Sequence, residues 1–540
     1  MNYRTPQYLS VTAVLAIAGC STAPATLTPA PATLTPVPPT VARPPTATSA
    51  PMLWEDVTDA TIGTTAEWTN KVELADINGD GHVDILFANG GEYDAPGRLE
   101  FSRVFLNQGP GNMFKEVTQS VFGSTVMLAR VIKVRDVNGD RNADFMVGTT
   151  YQTQSRLYLG DGSGNFTEVT DSHLPQIKAS IGDLEFGDVD GDNDLDMILA
   201  DWGPESPMTN KGGRTMLWLN DGSGHFSDAT PPQMPDVLVK FSWELEFVDI
   251  DNDYYIDVLV SCKRCTGSFL FLNDGAGSFA DVTAGRLPQF GNNYDFEAMD
   301  LNGDAYLDLV TINDGPGTRE HVFLSNQRGG FEDATAQLWP ATENLPLDDN
   351  MDVFLDFDSD GDADLLIGSL DDPDRLLIND GSGHLKLADQ TAFLPGFTSG
   401  TLGIALADLN GDAKLDVVQG QGEATFPDKV YLGKDIQPDA APPVITMVEQ
   451  IGQSEPGQPI EIRARVHDHK SPTMPHDWQS VDLVWTANGQ THESMMTWYG
   501  EYLWQGLIDQ PAPGTLGYQI CATDAAANKT CSDLLSVTVK

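Results

Sequence analysis

The chemistry in this sequence is concentrated in carboxylates that recur at a fixed spacing. A nine-residue pattern, with Asp at position 1, Asp or Asn at 3, and Asp at 5 and 9, occurs seven times. The first two copies place Asp76, Asn78, Asp80 and Asp84, then Asp136, Asn138, Asp140 and Asp144. The third and fourth place Asp188, Asp190, Asp192 and Asp196, then Asp249, Asp251, Asp253 and Asp257. The last three place Asp300, Asn302, Asp304 and Asp308; Asp356, Asp358, Asp360 and Asp364; and Asp408, Asn410, Asp412 and Asp416. Oxygen donors at alternate positions, closed by a fourth, surround one point in a tight loop. That is the chemistry of a hard cation, and calcium takes six to eight oxygens at about 2.3–2.6 Å. A single copy reads equally well as an Asp-rich turn, but seven in register do not. Because every copy repeats the same ligand set, we expect about seven structural calcium ions rather than a catalytic centre. Position 6 is Gly in only two copies, Gly81 and Gly361, so strain is expected in the others.

The elements that must carry these loops are short strands. Apolar segments precede each loop and follow it, as 184–186 and 197–199 do in the third copy. A second unit follows in most repeats, such as 157–170 and 217–230, where two apolar stretches flank Asp-Gly-Ser-Gly. This is a hairpin signature. The first Asp residues of successive copies lie 60, 52, 61, 51, 56 and 52 residues apart. Four short strands in about 55 residues make a propeller blade. Five repeats end in an aromatic residue followed by Val-Thr or Ala-Thr, and a sixth carries a degraded form at 385–391. The seventh lacks this strand, but 54–58 (Trp-Glu-Asp-Val-Thr) precedes the first loop. Residues 54–58 are therefore predicted to complete the seventh blade and close the ring, removing exposed sheet edges.

These repeats over 52–434 resemble FG-GAP/VCBS-type propellers, the class of the integrin α headpiece. The resemblance implies a seven-bladed β-propeller, with calcium held by the side chains at positions 1, 3, 5 and 9 and the carbonyl at position 7. Position 7 varies freely here, from His82 to Lys414, as a backbone ligand permits, and position 8 stays apolar. The resemblance also makes the strand entering each loop the innermost, so that its start lines a central funnel. Arg130, Trp243 and Tyr294 then become candidate ligand-binding residues, with the two rings as a stacking platform facing the guanidinium. Acids two residues apart (Asp183 and Glu185, Glu244 and Glu246, Asp295 and Glu297) lie on successive inner strands. The alternative is that these charges pair with Lys133 and its neighbours and simply fill the channel.

The remaining sequence frames this domain. Residues 1–19 combine Arg4 with an apolar run over 11–18, too short to span a bilayer, and read as an export signal. Ile-Ala-Gly-Cys at 17–20 resembles the bacterial lipobox, which implies lipidation of Cys20 and a location in the cell envelope, at the outer membrane or cell surface. Residues 20–51, rich in Pro, Thr and Ala, read as an extended tether. Four further cysteines remain, an even number that suggests two disulfides in an exported protein: Cys262 with Cys265 as a loop staple, and Cys521 with Cys531 across a turn. Residues 435–443 read as a linker. Residues 444–540 show about seven strand-like stretches and resemble bacterial immunoglobulin-like or fibronectin-III-like modules, which implies a β-sandwich. His467, His469 and His476 are read as a polar loop, with metal binding as the alternative.

The chain has 540 residues, 79 acidic and 30 basic, for a net charge of −49. That balance excludes a nucleic-acid partner, which requires a basic footprint. Seven divalent ions would bring it to −35. No nucleophile elbow, zinc-protease helix, phosphate loop or kinase set occurs in the sequence. The expected function is recognition or adhesion by a monomeric, lipid-anchored protein whose ligand is an extracellular protein or glycan. The alternative is a polysaccharide lyase or hydrolase acting in the funnel.

Overall fold

The computed structural model describes residues 52–111, 113–313, 315, 318–389, 400–423 and 426–540. The export signal, Cys20 and the tether lie outside the described residues, as does Thr391. The described residues form almost entirely β structure. Seven four-stranded antiparallel sheets follow one another along the chain. In the first blade, Thr69–Ala75 is innermost, followed outward by Asp84–Asn89, Arg103–Asn107 and Phe114–Glu116. Each inner strand packs against the next, and the last, Thr401–Ala407, packs against Thr69–Ala75. The inner and second strands are buried on both faces, which accounts for their near-continuous apolar runs.

Closure uses the displaced strand. Trp54–Asp56 pairs antiparallel with Lys429–Gly433, with Trp54 opposite Gly433 and Asp56 opposite Tyr431. Trp54 is fully buried, and its Nε1 donates to the Leu415 carbonyl at 2.9 Å. Among the described residues, the Thr that ends a repeat has a defined task. Its hydroxyl accepts the N–H that opens the third strand of the same blade: Val104 to Thr118 (3.1 Å), Leu217 to Thr230 (3.0 Å) and Val322 to Thr335 (3.0 Å). Thr58 does the same for Val430 at 3.0 Å, so the N-terminal piece reproduces the repeat to its last residue.

The C-terminal sandwich begins at Val444 and contains ten strands rather than about seven, because the segments 453–454, 490–495 and 529–531 also pair. One sheet orders Val444–Val448, Ile460–His467, Leu503–Ile508 and Thr497–Gly500. The other is built on Trp478–Ala487 and Gly514–Asp524. Ile462, Leu483, Tyr518 and Val537 lie in the core between them. Cys521 faces Cys531 across paired strands, and the structure joins them in a disulfide.

The sandwich rests on the aspartate-loop face of the propeller. The Tyr502 hydroxyl donates to the Ala298 carbonyl (2.8 Å), and the Tyr499 hydroxyl donates to the Tyr254 carbonyl (2.9 Å). Arg465, which is buried, donates to the Asp249 carbonyl (2.7 Å) and pairs with its carboxylate (3.5 Å). Ser471 exchanges hydrogen bonds with the backbone of Phe354 on an inner strand. His467 and His469 are buried here, so the segment expected to be a polar loop is instead packed.

Candidate functional site: aspartate loops and a filled channel

Each loop is organised by its first and last Asp. The position-1 carboxylate accepts N–H groups from the loop that follows: Gly79 (2.7 Å) and Gly81 (2.8 Å) bond Asp76, and Gly411 and Ala413 (both 2.7 Å) bond Asp408. The position-9 carboxylate is buried in every copy, and in all but the sixth, where Asp364 Oδ2 has no hydrogen-bond partner, it ties the loop to the third strand. Asp196 takes the Val189 N–H (3.1 Å) on one oxygen and the Asn220 N–H (2.9 Å) on the other. Asp84 does the same with Ile77 (3.1 Å) and Asn107 (2.7 Å). Position 6 adopts a positive φ in all seven copies, from 62° at Ala413 to 90° at Gly361. Arg141, Asn193, Tyr254, Ala305 and Ala413 therefore occupy the left-handed region at a cost that Gly would avoid.

The donors present fit calcium. In three loops, one carboxylate oxygen from each of three residues lies within 4.8 Å of the others: Asp188, Asp190 and Asp192; Asp249, Asp251 and Asp257; Asp356, Asp358 and Asp360. In the same loops Asp190 Oδ1, Asp251 Oδ1 and Asp358 Oδ1 are buried without a hydrogen-bond partner, and Asn410 Oδ1 is in the same state in the seventh. Buried oxygens of this kind are costly unless a cation meets them. Burial pushes the position-9 carboxyls up, to about 7 for Asp84 and Asp144, about 8 for Asp308 and Asp416, and about 9 for Asp196 and Asp364. A carboxylate so placed takes either a proton or a metal ion. The four loops with Asn at position 3 do not bring three carboxylates together in this way. Asn138 turns its amide nitrogen to Asp140 (3.2 Å), and Asn302 turns its own to Asp308 (3.1 Å).

Arg130, Trp243 and Tyr294 do come together. The Arg130 guanidinium lies 3.8 Å from the Trp243 ring centroid, and the Trp243 and Tyr294 rings meet edge to face at 4.8 Å. They do not form an open platform: Trp243 is 0% exposed, and Arg130 and Tyr294 are each 1% exposed. Trp202 stacks on Trp243, and Tyr93 meets it edge-on at 6.3 Å. The two-residue bridge between Cys262 and Cys265, which the structure joins in a disulfide, carries Lys263. Its ammonium bonds the Tyr294 hydroxyl and lies 4.2 Å from that ring. Sequence reasoning treated this CxxC only as a staple; the residue between the cysteines is what reaches the aromatic cluster.

Below this plug the channel is lined by charged side chains, some of them paired. Lys71 bridges to Glu244, Lys133 to Glu185, and Arg135 to Glu73 (3.2 Å). The acids also join blades: Glu73 accepts the Val134 N–H (3.0 Å) and Asp183 accepts the Leu245 N–H (3.0 Å). A cavity of 90 Å³ remains, floored by Ser471, Met474, Trp498 and Glu501 of the sandwich. Burial pushes Glu185 up to about 7 and Glu246 well above the usual carboxylate range. Ion pairing thus takes up part of the channel's charge, whereas Glu246 and Glu297 face other carboxylates.

What remains open on the opposite face is a recess of 180 Å³ beside Trp68, lined also by Glu67, Glu92, Arg98 and Glu100. Trp68 is half-buried, and its backbone N–H donates to Glu100 Oε2 at 2.8 Å. A further set missed from sequence is the Asn that ends the third strand. Asn107 Nδ2 donates to the Leu409 carbonyl in the seventh blade's loop (2.8 Å), and Asn220 Nδ2 to the Val137 carbonyl in the second's (2.8 Å). The available signal was an apolar residue followed by Asn, then Asp or Gln, then Gly, as at 106–109 and 219–222.

Residues 76–147, 136–199, 249–311 and 356–418 match the FG-GAP-like repeat family. The chain is 22% identical over 278 residues to the T-cell immunomodulatory protein of Rattus norvegicus, spanning 51% of this chain and 43% of that one. The chain thus spans less than half the length of this curated relative. Among solved structures, it is similar to an Agrocybe aegerita lectin described as recognising non-reducing terminal N-acetylglucosamine (19% identity, 60% of this chain and 82% of that one, TM-score 0.39). It is also similar to a V. cholerae biofilm matrix protein (13% identity, 91% and 76%, TM-score 0.33). Each of the four matched stretches takes in two of the aspartate loops, so it is the loop-bearing repeats of this chain that are similar to FG-GAP-like repeats.

Proposed function

We propose that this protein is a lipid-anchored, extracytoplasmic recognition protein whose propeller is held by calcium and presents a binding face opposite the aspartate loops. The observation that carries the reading is the division between the two faces. The loop face is covered in part by the sandwich, and the channel is narrowed to a small cavity by charged side chains that include ion pairs, whereas the far face keeps the half-buried Trp68 beside Glu67, Glu92, Arg98 and Glu100. An aromatic ring flanked by fixed polar groups suits a polar ligand with an apolar face, such as a sugar. FG-GAP-like repeats support the ligand-binding role, and the export signal with Cys20 supports the anchor. Arg130, Trp243, Tyr294 and Lys263 act beneath that face as its rigid support. Calcium, bound by the side chains of the aspartate loops, would neutralise their charge and crosslink the first two strands of each blade.

The test is a glycan and matrix-protein array probed with the calcium-loaded protein, followed by affinity measurement for Trp68→Ala and Trp243→Ala. The reading expects Trp68→Ala to abolish binding with an unchanged melting temperature, and Trp243→Ala to lower the melting temperature. Parental affinity in a folded Trp68→Ala protein would remove this face from consideration.

A further inference from the structure

The linker between the two domains is not a passive spacer. The Asp439 N–H donates to the Ala413 carbonyl (2.7 Å), and the Ala440 N–H donates to Ser359 Oγ (2.8 Å). The linker is thus laid across the sixth and seventh aspartate loops. There Asp439 meets Asp468, just beyond the strand Ile460–His467, and Asp524, the last residue of Gly514–Asp524. One carboxylate oxygen from each lies within 4.8 Å of the other two. None of these residues belongs to the repeated pattern, and tertiary folding alone brings them together.

The second observation is the state of the oxygens. Asp524 is 0% exposed; its Oδ1 accepts the Asn528 N–H at 2.8 Å, while its Oδ2 is buried with no hydrogen-bond partner. Asp468 Oδ1 is also buried and unpartnered. Lys470, whose charge acts on Asp468, is committed elsewhere: its Nζ lies 2.8 Å from Asp477 Oδ2 and 3.1 Å from the Pro472 carbonyl. His469 Nε2 is held near the Pro442 carbonyl at 3.4 Å. Three carboxylates that face one another, with buried oxygens left unpaired, are strongly destabilising unless a cation joins them.

We propose that Asp439, Asp468 and Asp524 form a calcium site that clamps the linker to the sandwich. All three donors are carboxylate oxygens, which selects a hard cation, and calcium–oxygen lengths of about 2.3–2.6 Å bridge this spacing. A cavity of 770 Å³ lies alongside, lined by Asp439, Asp468 and Ala525 and by the loops around Asp76, Asp136 and Asp408. It gives the ion access and leaves room for water to complete the coordination. Bound here, the ion fixes the linker side of the sandwich against the propeller and sets the width of that cavity.

The test uses the full chain with calcium itself as the probe. Bound calcium is measured by elemental analysis after equilibrium dialysis for the parent, Asp439→Asn and Asp468→Asn, together with limited proteolysis of the linker at 435–443. Asp439 lies on the linker, outside the sandwich core, so Asp439→Asn decides the matter if Asp468→Asn does not fold. The expected result is one calcium fewer per chain and linker cleavage about tenfold faster, matching the parent in chelator. Parental calcium content in Asp439→Asn would overturn the site, and loss of the ion without faster cleavage would overturn the clamp. If the propeller loops take no calcium, the parent still binds one ion that the variants lose, so the two readings fail separately.

Discussion

Asp196 shows what a single position-9 carboxylate does: one oxygen closes the loop through Val189 and the other anchors the third strand through Asn220. Asp196→Ala should cost about 3 kcal/mol, because two hydrogen bonds go and two buried N–H groups lose their partners. Urea denaturation in calcium and in chelator separates this loss from the loss of any ion; equal stability of variant and parent in both would show that the carboxylate holds nothing. Ala413 tests the left-handed position. With φ at 62°, Ala413→Gly should be neutral or stabilising by up to about 1 kcal/mol, and Ala413→Val should be destabilising. Glu67 supplies a pH dependence. Burial pushes it up to about 7, with Glu100 and Glu116 adding to the shift and Arg103 opposing it. Between its usual value of 4.5 and about 7 the folded chain holds a proton that the unfolded chain releases, so stability falls as pH rises through that window. Glu67→Gln should flatten this part of a stability-against-pH profile.

At the scale of elements, the sheet edge governs behaviour. Trp54–Asp56 covers Lys429–Gly433, and the fully buried Trp54 anchors it. Trp54→Ala should cost about 3–5 kcal/mol. Deleting 52–60 should expose the 429–433 edge and cause aggregation, which sedimentation will report. A monomeric truncation of normal stability would mean that the ring is closed by other contacts, such as Asn107 bonding Leu409 across the first and seventh blades.

For the whole molecule, the sandwich and the proposed calcium are the two supports to be tested. Chelation should lower the melting temperature: at ten times its dissociation constant each site adds about 1.4 kcal/mol if the unfolded chain does not bind. A melting temperature unchanged in excess chelator would count against structural calcium. Removing 444–540 should destabilise the propeller as well, because Tyr502, Tyr499 and Arg465 bond directly to its loops and Ile256 packs against Gly500. For the proposed lipid anchor, the expected outcome is that Cys20→Ser releases the protein from the membrane fraction, and a variant that stays there would remove Cys20 as the anchor.

The repeat pattern alone determined the strand order, the position of the aspartate loops and the displaced closing strand. These are local or periodic features: hydrogen-bond donors and acceptors within about ten residues set each loop, and a repeated unit must meet copies of itself. The pairing of Cys521 with Cys531 was legible for the same reason, since a short turn brings them opposite. The sequence could not show that Arg130, Trp243 and Tyr294 are covered, because Tyr93, Trp202 and Lys263 reach them from other blades. Nor could it show that a histidine-containing loop of the sandwich supplies part of the channel floor, or that Asp439, Asp468 and Asp524 converge. Those outcomes depend on how one finished domain docks on another. Tertiary structure decided them, because burial and the pairing of charge are set by distances through space that no spacing along the chain encodes.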